Sequence, residues 1–152
     1  MTLTKSLSLG VVAVFILSMP LLAHEGSDRG RTKKIRAPNT LSETWREIKE
    51  HEKRLREIIE EGKLRWVHEI AFEIRDLVKV LPAQSAELPH DRYEKVKTAV
   101  EKIKRSADLL DRYSDYGDKA SAEAEFRELV KQFRFIESQY PEGFLEESKS
   151  DA

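Results

Sequence analysis

Residues 64–82, LRWVHEIAFEIRDLVKVLP, constrain the fold more than any other stretch of the chain. Leu64, Val67, Ala71, Ile74, Val78 and Leu81 recur at alternating steps of three and four, which lines one stripe of an α-helix and does not fit a strand. Pro82 is expected to close that helix, because proline has no N–H to donate and its ring clashes with the preceding turn. His68 and Arg75 fall on the border of the stripe, between core and water.

The rest of the chain supplies matching helices. Thr40 with Glu43 three residues on forms a capping box, followed by a stripe of Leu41, Trp45, Ile48, Glu52, Leu55 and Ile59 that ends at Gly62, a left-handed C-cap. Glu52 stands where an apolar residue is expected, and an unpaired buried carboxylate is costly. An ion pair with Arg75 across a tight turn at Gly62 is the expected remedy, with a metal-ligating role as the alternative. Pro89 is expected in the first turn of a third helix with an inward stripe of Tyr93, Val96, Val100, Ile103, Ala107 and Leu110. Gly117 breaks that helix, and Asp118 caps a fourth with Ala122, Phe126, Leu129, Phe133, Ile136 and Tyr140 inward before Pro141 stops it. Four amphipathic helices on short connections imply an all-α fold, an antiparallel up-down-up-down four-helix bundle over residues 40–141. Residues 142–152 read as an acidic tail outside it.

The N-terminus reads as a targeting segment. Lys5 precedes a mostly apolar run that leads to Leu21, Leu22 and Ala23, the pattern of a signal peptide over residues 1–23; Leu21 is larger than the cleavage rule prefers, which leaves an uncleaved membrane anchor as the alternative. Export, and for a bacterial-type signal a periplasmic location, follows as the expectation, with a soluble mature chain beginning at His24. Residues 24–39 form a polar arm, locally basic through Arg29, Arg31, Lys33, Lys34 and Arg36; it reads as a flexible spacer or as a contact for an anionic membrane or acidic partner.

Composition narrows the chemistry. The chain has no cysteine, so disulfides, thiolate metal sites and covalent haem attachment are excluded, and both methionines, Met1 and Met19, would leave with the signal. A formal charge of -1 offers no global field for nucleic acid. No glycine-rich phosphate loop, GxSxG, HExxH or cysteine nucleophile is present, and no catalytic residue is assigned.

Metal chemistry rests on histidine. In an antiparallel bundle His51 and His68 are about seven residues apart along the axis, roughly 10 Å, which is too far for one shared ion. His68 lies level with Ala107, Asp108 and Asp111, so either carboxylate can serve as its partner, and a border histidine bonded to a carboxylate is the structural alternative to a metal ligand. His90 is expected in a solvated loop. His24, as the first residue of a cleaved chain, could chelate copper(II) through its α-amine and imidazole, with Glu25 as an oxygen donor. The metal candidates are therefore His24, His68, Asp108 and Asp111.

VHEIAFEIRDLVKVLPAQSAEL, then LDRYSDYGDKA, and IESQYP near the end resemble a small helical domain of exported bacterial proteins associated with copper and heavy-metal efflux. That family's pattern has a tryptophan in its first helix, a GKL turn, a V-H-x-x-A-F-x-I-R-D-L-V core helix and an L-D-x-Y-G-D-x-G-D corner. The resemblance spans residues 41–141 and includes Trp45, Gly62, His68, Arg75, Asp76, Asp111 and Asp118. It departs at Ser114, where the pattern has glycine, and at Tyr116, where it has a small residue; of the histidine-rich run that often precedes the domain only His24 remains. The resemblance implies an accessory protein of metal, foremost copper, homeostasis that binds metal or docks onto a periplasmic or membrane efflux component. The other reading is a metal-free interaction module, with Trp66 and Phe72 either facing a partner or edging the core.

Overall fold

The computed structural model describes residues 36–145. Their fold is all-helical, with four main helices: α1 (Leu41–Glu60), α2 (Val67–Val78), α4 (His90–Asp115) and α5 (Lys119–Glu137). A 3-10 turn (Leu64–Trp66) precedes α2, and a one-turn helix, α3 (Leu81–Gln84), follows it. No strand occurs among the described residues.

The helix ends form as their sequences require. Thr40 accepts the Glu43 amide at 3.3 Å and donates its hydroxyl to the Glu43 carboxylate at 2.8 Å, so both partners of the box are engaged. Gly62 (φ 71) and Gly117 (φ 70) each end a helix in a Schellman motif. At the first, Lys63 N–H bonds Ile58 O and Gly62 N–H bonds Ile59 O; at the second, Asp118 N–H bonds Tyr113 O and Gly117 N–H bonds Ser114 O. Lys119 Nζ then donates to Glu60 O at 2.9 Å, tying the α4–α5 turn to the end of α1.

The central segment departs from a single helix over residues 64–82. Its chain turns at Lys79 and Val80, and Pro82 sits in the first turn of α3, where its missing N–H leaves no hydrogen bond unmade. Pro82 thus opens a short helix rather than closing a long one. Pro89 likewise occupies the cap position before α4, so His90 is the first residue of that helix and not a loop residue; it is exposed, as expected.

Packing follows the stripes. Val67, Ala71, Ile74, Val78 and Leu81 are buried, joined by Ile70 and Leu77, because α2 meets α1 on one side and α4 on the other and so needs a wider apolar face. Leu64 and Tyr93 are only half-buried, and Lys97 lies over the Tyr93 ring. α4 packs on α5, and α5 returns to α1, where Trp45 meets Phe133 edge-on. The core runs past Pro141. Leu145 is 7% exposed, Phe144 stacks on Tyr140, and the buried Tyr140 hydroxyl bonds Ser85, whose own proton goes to Leu81 O. At the other terminus Ala37 packs against the core and Pro38 O accepts a bond from Gln84. No helix among the described residues is long and apolar enough to cross a membrane.

Candidate functional site

Spacings of four and three put His68, Phe72 and Arg75 on one face of α2, along its border with α4. His68 Nδ1 stands 2.6 Å from Asp111 Oδ1. About two turns further along α2 and one turn back along α4, Arg75 Nη1 donates to Asp108 Oδ1 at 2.8 Å. Phe72 lies between them: the His68 ring meets it edge-on at 4.3 Å, and the Arg75 guanidinium lies over it at 4.1 Å. The five residues form one continuous polar and aromatic seam across two helices.

The chemistry of the seam follows from its donors. An ionised carboxylate has no proton to give, so His68 Nδ1 is the donor to Asp111 and the neutral ring keeps its lone pair on Nε2. The His68 side chain is 39% exposed. A carboxylate behind the ring fixes its orientation. Asp108 is bound by Arg75 instead, and the stacked guanidinium keeps a buried Nε–H without a hydrogen-bond partner. Of the two carboxylates level with His68, Asp111 is therefore its partner.

The opposite border of α2 is looser. His51 Nδ1 of α1 is 3.6 Å from Glu73 Oε2, beyond hydrogen-bonding distance, and that buried oxygen has no partner. The expected pair between Glu52 and Arg75 does not form. Glu52 is held by Lys49 and Arg56 of its own helix, while Arg75 points to α4, on the other side of α2. Partners three and four residues away on one helix are already adjacent, so Glu52 is satisfied without a tertiary contact. Arg56 also lies over the Phe126 ring.

His24 lies outside the described residues. Among the described residues no three His, Cys, Asp or Glu side chains come close enough together to hold a metal ion. Trp66 is 47% exposed beside Arg65, while Phe72 is half-buried within the seam. Neither Phe72 nor Glu73 lies on the buried apolar stripe of α2. Phe72 was legible from its four-residue spacing after His68, whereas Glu73 carries no signal beyond being a carboxylate on the far border. With fold and site in hand, the chain is defined as a small all-helical domain with a histidine–carboxylate seam. No family model, curated protein or solved structure matches it.

Proposed function

We propose that this chain is an exported, non-enzymatic accessory protein of metal, foremost copper, homeostasis. In this reading it is periplasmic, and it acts by docking its bundle onto a membrane or periplasmic efflux component and offering one nitrogen ligand. The observation that carries the proposal is the His68–Asp111 pair, a half-exposed imidazole held from behind by a carboxylate, the way metal-ligating histidines are oriented. Nitrogen donors of this kind suit copper(II). One such ligand fits a shared site rather than a closed one, since no group of three ligands forms among the described residues. The remaining donors would come from His24 or from the partner, and copper(II) would pass between proteins rather than be stored.

The chain path belongs to the same proposal. We read the helices as an antiparallel up-down-up-down bundle. Its support is that positions rise along α2 as they fall along α4, with His68 at Asp111 and Arg75 at Asp108, and that Arg92 near the start of α4 reaches Gln139 O just past α5.

One observation favours the metal-free module: both seam carboxylates are already engaged by His68 and Arg75. Copper(II) titration of the chain beginning at His24, with His24→Ala and His68→Ala variants, separates the two by calorimetry and electron paramagnetic resonance. The metal reading expects stoichiometric binding with nitrogen hyperfine structure that weakens in His68→Ala. Binding no better than that of an unrelated helical bundle defeats it and leaves the interaction module.

A further inference from the structure

A cleft of about 410 Å³ opens beside the end of α5, walled by Trp45, Tyr140, Pro141 and Leu145 and rimmed by Glu137 and Glu142. We infer that this cleft is the docking site of the chain's own basic segment, residues 29–36. The inference does not rest on the metal reading.

Three observations meet here. The first is where the N-terminal segment joins the fold. Pro38 O is bonded by Gln84, and the next residue, Ser85, bonds the hydroxyl of Tyr140, a wall of the cleft. Trp45, another wall, lies only one turn into α1. The basic segment therefore leaves the bundle at the end where the cleft opens. The second is length. Residues 29–36 can extend over roughly 25 Å, enough to cross the cleft without strain.

The third is charge. Arg29, Arg31, Lys33, Lys34 and Arg36 supply five cations, and Ile35 supplies one apolar side chain among them. The rim offers Glu137 and Glu142. Glu142 makes no ion pair among the described residues. Glu137 meets only Lys49, at 3.4 Å, and that lysine is already hydrogen-bonded to Glu52. Cationic side chains with long aliphatic stems suit such a place, since the stem can lie on the apolar wall while the head reaches a carboxylate. The basic segment is thus held on its own bundle and is not presented to an anionic membrane surface.

The absence of cysteine makes the test direct. A nitroxide attached to Ser27→Cys in the chain beginning at His24 is the sole label and leaves every basic residue in place. Docking broadens the amide signals of residues 137–145 and the Trp45 indole signal at low ionic strength. The same signals recover in 0.5 M salt, taken as a roughly threefold or greater shortening of the screening length from dilute buffer. They recover equally in the Glu137→Gln/Glu142→Gln variant, whose two surface positions leave the core intact. Broadening that is absent, spread evenly over the bundle, or indifferent to both salt and that variant overturns the inference.

Discussion

The two borders of α2 use the same residue types to different ends. Against α4, a histidine and an arginine each reach a carboxylate at hydrogen-bonding distance, with Phe72 packed between the two side chains. Against α1, a histidine and a carboxylate stand 3.6 Å apart with no bond, and the nearby Glu52 is satisfied within its own helix. A cross-helix pair needs two backbones to hold both groups at the right level, whereas a pair within one helix needs only the spacing. The α4 border is built to orient a side chain; the α1 border merely tolerates charge at the edge of the core.

The core common to both borders sets the scale. Ile74 is fully buried between them, and Ile74→Ala is expected to cost about 2–5 kcal/mol in urea denaturation, through lost burial and the cavity left behind. A loss well under that range would mean that α2 relaxes into the gap and that neither border is rigid. Double-mutant cycles then compare the borders themselves. The His68–Asp111 pair should show a coupling of up to about 1 kcal/mol, while His51–Glu73 should fall near zero. Equal couplings would erase the distinction drawn between the two sides.

A gentler change probes the aromatic part of the seam. Arg75→Lys keeps the charge near Asp108 but loses the planar stack on Phe72, an effect expected at about 0.5–1 kcal/mol and absent in a Phe72→Leu background. The smallest effect lies away from both borders, at the cap of α5. Hydrogen bonds from Ser121 hold the Asp118 carboxyl below its usual range. Because the folded value is the lower one, the stabilisation is present above the unfolded value of about 3.9 and is lost as pH falls through the folded one. Acid titration of helicity should therefore show a small loss in this window that Asp118→Ala lacks, while the seam cycles measured near neutrality stay unchanged.

Much of this fold was legible one helix at a time. The stripes from Ala122 to Tyr140 and from Val67 to Leu81 are buried as their spacing requires, and the glycines at 62 and 117 take the left-handed turns that end α1 and α4. The site was legible in part. The level of His68 with Asp111 follows from counting residues, but the choice between Asp108 and Asp111 depends on side-chain direction. Arg75 takes Asp108, and the buried Glu52 is answered by Lys49 and Arg56, cations visible in the sequence at helical spacing once the tertiary pair is set aside. The turn at Lys79 and Val80 was hidden because the apolar spacing continues through it, and spacing alone cannot register a break in the helix.

By itself the sequence determined that the chain is helical, where its caps lie and which faces are apolar, since these follow from local backbone chemistry and a fixed period of about 3.6 residues. Only the tertiary structure decided which carboxylate meets His68 and which meets Arg75, that Leu145 belongs to the core, and that Tyr140 and Ser85 close one end of it. Those outcomes depend on how two helices are rotated and levelled against each other, a geometry set by the packing of many side chains at once and written in no single stretch of the chain.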